Sequence, residues 1–224
     1  MSADLSAMRK EYSDRRRILA EKDIINDPFE LFHHWFEVAK QKAPDDKWTE
    51  TNAVCLSTAT KDGRPSSRMV LLKGYDPING FTIFTNYESR KGMEIRQNSH
   101  VALLFYWNYL SRQIRIEGCA RKSSPEESDK YFHSRPRISQ ISARVSEQSR
   151  PIDSRETLIQ RQQEEVKKFG DNIVIPRPDF WGGFHIQPER FEFWQGQSDR
   201  THDRFIFELD PIERKWQQYY RIQP

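Results

Sequence analysis

The sequence has little of several things, and each scarcity excludes something. Two cysteines in 224 residues, Cys55 and Cys119, cannot build a disulfide framework or a four-ligand zinc site. Each stands in an apolar, strand-like run, where a small buried thiol is expected. No apolar stretch approaches the length of a membrane span. The N-terminus has no apolar segment of the kind a secretory signal carries. A soluble protein of a reducing, cytoplasmic compartment is the resulting expectation, with no membrane partner. Charge of one sign is scarce as well. The 36 Lys and Arg against 33 Asp and Glu leave a net charge of +3, whereas a nucleic-acid binder more often shows a strong basic excess. Walker loops, Rossmann glycine fingerprints, serine-nucleophile elbows and HExxH helices are all missing. So are repeats, low-complexity tracts and long linkers.

Aromatic side chains are plentiful. They make up 12% of the residues, with six Trp and fourteen Phe, which argues against global disorder. The length suits one domain with a sizeable core. Residues 1–26 are charged and lack an apolar period, and they read as an arm outside that domain. Within the arm, Arg15-Arg16-Arg17 reads as a basic tag or as part of a solvated segment. Residues 27–224 read as a single domain.

Asp27-Pro28 is a helix start, with an N-cap acceptor followed by proline at the first helical position. Leu31, Phe32, Trp35, Phe36 and Ala39 then recur at helical spacing. His33 and His34 fall on this helix without ligand-spaced partners and read as ordinary surface or packing histidines. From residue 52 the period changes to short runs of β-formers: 53–60, 68–75, 81–85, 101–107 and 113–121. Ser124-Pro125-Glu126-Glu127 is a capping box, and a further, largely exposed helix is predicted over 154–169. Strands return at 183–187, 190–194, 204–209 and 215–222. Strands that follow one another through tight turns pair antiparallel, so the expected fold is mainly β, a barrel or sandwich with helices around it.

Cations and amides gather at strand ends. On a strand over 68–73, Arg68, Val70 and Leu72 share one face while Met69, Leu71 and Lys73 share the other. A cation on each face is unusual where one face is buried, because a half-buried Arg or Lys needs an anionic partner. Phosphate suits Arg through its planar fork and Lys as a point charge. Ser89-Arg90-Lys91 adds donors of the same kind. Repeated beside Trp and Gln, these donors point to a phosphorylated aromatic ligand. Any one segment alone reads as a surface ion pair.

The strings RMVLLKG, FTNYESRKG, FYWNYLSRQIRIEG, KYFHSRPR, WGG and EFWQGQ-x-x-R-x-HDR occur in unbroken order from about Asp27 to the C-terminus. In these the chain resembles the pyridoxine (pyridoxamine) 5′-phosphate oxidases. The resemblance implies a split β-barrel and a homodimer with FMN at the subunit interface. It also implies oxidation of pyridoxine 5′-phosphate or pyridoxamine 5′-phosphate to pyridoxal 5′-phosphate, with O2 reduced to hydrogen peroxide. No metal is implied. Carried over by position, the FMN contacts are Arg68, Met69, Val70, Leu71, Phe84, Thr85, Ser89, Arg90, Lys91, Gln113, Gln148, Ser149, Trp194 and Arg204. The substrate contacts are Lys73, Tyr131, Arg135 and Ser139 at the phosphate, with Arg200 and His202 over the ring and catalytic. His133 is expected to be structural, and His202 on a bland reading is a structural histidine paired with Asp203.

Departures from the family pattern are Thr201, where leucine is usual, Ser142 in place of a common glycine, and the Arg221-Ile222-Gln223-Pro224 ending. Serine at 142 would carry strain if the position needs a positive φ. Arg9-Lys10-Glu11-Tyr12 resembles a lid over the site. Two other classes fit parts of the pattern. One is a non-oxidase flavin- or pyridoxal-phosphate-binding split barrel, and the other is a carrier or basic nucleic-acid module. The Lys73, Tyr131, Arg135, Ser139, Arg200 and His202 group favours the oxidase over the first, while a flavin spectrum and turnover with peroxide release separate it from the second.

Overall fold

The computed structural model describes Leu19 and residues 24–224. The readings made for the arm, including Arg15-Arg16-Arg17 and the lid-like Arg9-Lys10-Glu11-Tyr12, lie outside the described residues. Helices are α1 (Pro28–Lys42), α2 (Arg90–Gln97), α3 (Pro125–Ser134), α4 (Arg137–Val145) and α5 (Arg155–Phe169). Strands are β1 (Ala53–Ala59), β2 (Pro65–Leu71), β3 (Gly74–Asp76), β4 (Gly80–Asn86), β5 (His100–Trp107), β6 (Arg112–Lys122), β7 (Trp181–Gln195), β8 (Asp203–Glu208) and β9 (Tyr220–Arg221). The sheet order is β2-β1-β5-β6-β7-β4-β3, with β8 on β7 and β9 on β8. The registers of β3 on β4, β4 on β7, β7 on β8 and β8 on β9 are antiparallel.

Two compact units emerge. One gathers the described residues up to Ala53 with Leu103–Glu117 and Glu189–Pro224, and the other Val54–Ala102 with Gly118–Pro188. The first unit has an aromatic core. Asp27 caps α1 by accepting from the Phe29 and Glu30 amides. The helix's apolar stripe then meets strand residues edge to face: Phe29 on Phe191, Phe32 on Phe105 and Trp35 on Phe193, at 5.3–5.5 Å between centroids. The second unit builds its core from Val54, Leu56, Phe81, Ile83, Phe184 and Ile186, with a satellite cluster of Phe132, Ile141, Phe169, Ile175 and Trp181.

Several sequence expectations hold locally, among them the Asp27 cap, the Ser124–Glu127 capping box and a mostly exposed α5 capped by Ser154. His33 and His34 are exposed, as expected.

Others are corrected. The run 68–75 is not one strand. β2 ends at Leu71 and β3 begins at Gly74, because the chain changes partner from β1 to β4 between them. Arg90 and Lys91 open helix α2 rather than ending a strand, with Ser89 as its N-cap. The two strands expected at 183–187 and 190–194 are one, β7, running through Pro188. The strand expected at 215–222 shrinks to β9 and a single bridge between Leu209 and Trp216. Both thiols are half-buried rather than buried. Ser142 lies inside α4 without a positive φ, its hydroxyl donating to the Ile138 carbonyl at 2.8 Å, so the strain conceived for it does not arise.

Candidate functional site

The second unit holds a cavity of about 530 Å³. Strand β2 supplies Arg68, Met69, Val70 and Leu71, with Lys73 just beyond its end. Strand β4 supplies Phe84 and Thr85, and α2 supplies Lys91. Tyr131 comes from α3, Arg135 from the turn after it, Ser139 from α4 and Gln148 from the segment that follows. Twelve positions picked from the sequence thus line one space, although they come from seven parts of the chain. Ser66, Arg68 and Val70 are half-buried while Ser67 and Met69 are exposed, so the predicted alternation holds from Ser66 to Val70 and breaks at Leu71, which is half-buried too.

One wall is aromatic. Phe84 stacks on Tyr131 with centroids 3.9 Å apart, and Trp181 follows at 5.7 Å from Phe84. Arg135 lies over the Trp181 ring at 4.6 Å, a cation–π contact. Its Nη1 is buried and has no hydrogen-bond partner among the described residues. Burial pushes the guanidinium pKa down, against a smaller opposing influence of Tyr131. Leaving a buried charged donor unmatched is costly, so this position is built for an anion.

Lys91 shows the same chemistry. Its Nζ donates to Gln148 Oε1 at 2.8 Å, to Thr85 Oγ1 at 3.3 Å and to Ser89 Oγ at 3.4 Å, all uncharged oxygens. Burial, and then the charge of Arg68, lower its pKa to about 8. A phosphate would relieve both effects. The donor set therefore fits a phosphate group, as a flavin phosphate would supply.

Ser89 and Arg90 do not line the cavity. The Ser89 hydroxyl is spent on the α2 N-cap, accepting from the Gly92 amide and donating to the Asn86 carbonyl. Arg90 is exposed and gives its Nε to Glu94. Ser149 also stands outside this lining, with a left-handed φ of 73°.

The WGG motif acquires a reason. A Cβ on Gly182 would sit 2.2 Å from the Tyr87 hydroxyl oxygen, and one on Gly183 would sit 2.2 Å from Ser123 Oγ. Without those atoms, α3 approaches β7 closely enough for Ser128 Oγ to accept from the Gly183 amide at 3.2 Å. That approach seats the helix that carries Tyr131. His133 Nε2 lies 3.1 Å from the Ile175 carbonyl oxygen, a structural tie as expected.

The remaining expected residues, Gln113, Trp194, Arg200, His202 and Arg204, belong to the first unit. Trp194 opposes Arg204 across the β7–β8 ladder and lies 4.9 Å from the His202 ring. Arg204 gives Nε and Nη2 to Glu192 at 2.9 and 2.7 Å and Nη1 to the Gln223 carbonyl at 2.9 Å. Arg200 adopts a left-handed φ of 70°, unusual for a side chain with a Cβ. His202 Nδ1 accepts from the Gln197 amide at 2.9 Å, which places the proton of the neutral ring on Nε2. Burial and Arg200 lower its pKa against the opposing Asp199 and Asp203. The Asp203 carboxylate takes Gln197 Nε2, Arg221 and the Leu19 amide.

Sequence reasoning passed over Asn86 and Trp181, which line the cavity from within the quoted FTNYESRKG and WGG strings. It also passed over Glu94 and Glu192, buried acids that hold arginines. The signal for Glu94 was its i,i+4 spacing from Arg90.

Fold and cavity together define a mainly β protein with a cationic, aromatic-walled binding site. The description "Pyridoxamine 5'-phosphate oxidase" belongs to a family model that matches residues 41–169, and a "Pyridoxine 5'-phosphate oxidase C-terminal dimerisation region" model matches 181–224. The chain belongs to the pyridoxamine 5′-phosphate oxidase family. It is 50% identical to a pyridoxine/pyridoxamine 5′-phosphate oxidase of Rubrobacter xylanophilus, over 91% of this chain and 90% of that protein. It is 47% identical to a pyridoxine-5′-phosphate oxidase of Bos taurus, over 91% and 77%. Against the chloroplastic relative from Arabidopsis thaliana it is 49% identical over 93% of its length but spans 38% of that longer protein. Among solved structures it resembles PhzG from Burkholderia lata in complex with tetrahydrophenazine-1-carboxylic acid, with a TM-score of 0.83 and 30% identity over 94% of this chain and all of that one. The fold is the split β-barrel expected from the sequence. Among the described residues no helix is long and apolar enough to cross a membrane.

Proposed function

We propose that the chain is an FMN-dependent oxidase that converts pyridoxine 5′-phosphate or pyridoxamine 5′-phosphate to pyridoxal 5′-phosphate. It works as a cytoplasmic homodimer with FMN at the subunit interface. The observation that carries this reading is the buried, unmatched Arg135 Nη1 in a cavity that also desolvates Lys91. Two cations that face no carboxylate among the described residues suit a phosphate.

When bound, FMN supplies the acceptor for a hydride, at flavin N5. Arg68 and Lys91 hold its phosphate from the cavity wall, and Arg90, outside that lining, would approach it from the exposed rim, with Ser89 fixing the helix start from which Arg90 and Lys91 project. Met69, Val70, Leu71, Phe84 and Thr85 line the flavin, and Gln113, Gln148, Ser149, Trp194 and Arg204 complete its contacts. Lys73, Tyr131, Arg135 and Ser139 hold the substrate phosphate, a remote handle whose binding energy keeps the reacting C4′ carbon in place. Arg200 clamps the pyridine ring. His202 presents its Nε2 proton to the ring hydroxyl, since Nδ1 is already an acceptor. With FMN held there, the site would couple oxidation of C4′ to reduction of O2 to hydrogen peroxide; the alcohol substrate would give the aldehyde directly, and the amine would give an imine that water hydrolyses with release of ammonia.

The test is oxygen consumption by FMN-loaded protein with each phosphorylated substrate, together with peroxide release. Turnover with either supports the reading. A yellow protein with no turnover on both would leave a flavin-binding split barrel without oxidase activity.

A further inference from the structure

The buried carboxylate of Glu94 in α2 is absent from the contacts assigned above, although it touches two of the arginines given to FMN. Its side chain is 5% exposed. Oε1 accepts from Arg90 Nε at 2.8 Å. Oε2 accepts from Thr58 Oγ1 at 2.5 Å and Ser66 Oγ at 2.6 Å, with Arg68 Nη2 at 3.4 Å. Both hydroxyls also serve Arg68: Thr58 Oγ1 accepts from Nη1 at 2.6 Å and Ser66 Oγ from Nη2 at 2.5 Å. The Leu56 carbonyl accepts from Nη1 as well, at 3.1 Å.

The order of donors matters. A hydroxyl has one proton and two lone pairs. With their protons committed to the carboxylate, Thr58 and Ser66 can only turn lone pairs toward Arg68. The guanidinium is thereby fixed through two neutral relays as well as through the weak direct pair. Burial alone would raise the Glu94 pKa, but the hydrogen bonds from Ser66, Thr58 and Arg90 and the charge of Arg90 hold it at about 2. The group is an anion at any working pH. A neutral amide here could aim an N–H at the hydroxyls, reverse them and set O–H against N–H at Arg68.

We infer that Glu94 is a positioning residue for the cofactor phosphate, orienting Arg68 through Thr58 and Ser66 and Arg90 directly. The inference rests on the reading of this cavity as the FMN site. It assigns Glu94 no contact with ligand.

The test titrates full-length protein stripped of flavin with FMN and with riboflavin, following flavin fluorescence. Glu94→Gln is expected to weaken FMN by about tenfold or more, the size of a charge-assisted hydrogen bond, while riboflavin affinity stays within about twofold. Selective loss of FMN is the signature of a role at the phosphate. Equal loss of both flavins, or an FMN affinity within about twofold of wild type, overturns the inference. Should Glu94→Gln fail to fold by circular dichroism, Ser66→Ala keeps the carboxylate and deletes one relay. It should cost FMN alone about threefold or more, and an unchanged FMN affinity there also overturns the proposal. Arg68→Met is the control for the site itself. If that variant binds FMN as wild type does, the FMN reading of the cavity fails, whatever Glu94 does.

Discussion

Lys91 Nζ donates to the Gln148 carboxamide oxygen at 2.8 Å, so the ammonium most deeply committed to the cavity is held by a neutral acceptor. A lysine so placed keeps its proton less firmly, and its pKa falls from 10.5 to about 8. The folded state binds fewer protons than the unfolded between those values, so this group adds stability as pH rises through that window.

The same shift makes cofactor binding pH-dependent in the opposite sense. A phosphate favours the charged lysine, so if the FMN phosphate sits at Lys91 as proposed, flavin-free protein should take up a proton on binding FMN above about pH 8. The FMN dissociation constant should be flat from pH 6.5 to 7.5 and rise by about tenfold per unit well above pH 8. Lys91→Met should bind FMN more weakly at pH 7 and lose this slope. Lys91→Arg should keep affinity at pH 9, because guanidinium does not titrate there. Fluorescence titrations across the range measure all three, and an identical slope in Lys91→Met rules the assignment out.

Glu94 produces an acid limb. Its folded pKa of about 2 lies below the ordinary 4.5, so its contribution is full above pH 4.5 and is lost as pH falls toward 2. The difference corresponds to about 3 kcal/mol. Urea unfolding at pH 7 and pH 3.5 should show a smaller drop for Glu94→Gln than for wild type. Parallel drops would mean that the carboxylate is not held as described.

Much of the fold was legible where its cause is local. Asp27-Pro28 and Ser124-Pro125-Glu126-Glu127 announce helices because the capping groups lie within three residues of the amides they serve. Helix α2 was not legible. Arg90-Lys91-Gly92-Met93-Glu94 shows no apolar stripe, and the helix is held by the Ser89 cap and by a carboxylate whose hydroxyl partners stand 28 and 36 residues earlier. The break between β2 and β3 is non-local too, since it follows from a change of pairing partner. In the site, alternating faces revealed Arg68 because strand period is a local property. Glu94 and Glu192 stayed hidden because an acid on a buried face announces its purpose only through the cations that fold onto it.

Gly182→Ala tests the seating of α3. The new methyl would meet the Tyr87 hydroxyl and Ser128 Oγ at 2.2 and 2.7 Å. The Tyr87 hydroxyl donates to the Gly183 carbonyl at 3.1 Å, so moving it costs a buried hydrogen bond. Overpacking of this kind costs about 1–3 kcal/mol. The melting temperature should fall, and the KM for phosphorylated substrate should rise as α3 carries Tyr131 away. A variant with unchanged KM would separate the glycine from the phosphate cradle.

Arg135→Met removes the unmatched guanidinium. Without it, KM for either phosphorylated substrate should rise about 10- to 100-fold, the range for a charge-assisted hydrogen bond, with FMN affinity close to wild type. Removal of a half-buried guanidinium whose Nη1 lacks a partner among the described residues should also leave stability unchanged or improved. Steady-state kinetics and a thermal melt decide the matter together. Lower stability with unchanged KM would make Arg135 a packing residue over Trp181.

Arg200→Leu separates chemistry from cofactor binding. Arg200 is exposed and sits at φ 70° in the turn that the Gln197 amide closes onto His202. A side chain with a Cβ is held in that region only when its surroundings fix it. Leucine carries a Cβ as arginine does, so backbone strain is unaltered and the guanidinium is what is lost. If Arg200 clamps the ring as proposed, its loss should let the pyridine sample poses in which C4′ is off the flavin. The rate of flavin reduction in a stopped-flow single turnover should fall by about 100-fold or more, the usual cost of lost alignment. FMN affinity should change by less than about twofold, because the guanidinium is assigned to the substrate ring. If both fall together, Arg200 supports the cofactor, and the role of orienting the hydride passes to another residue.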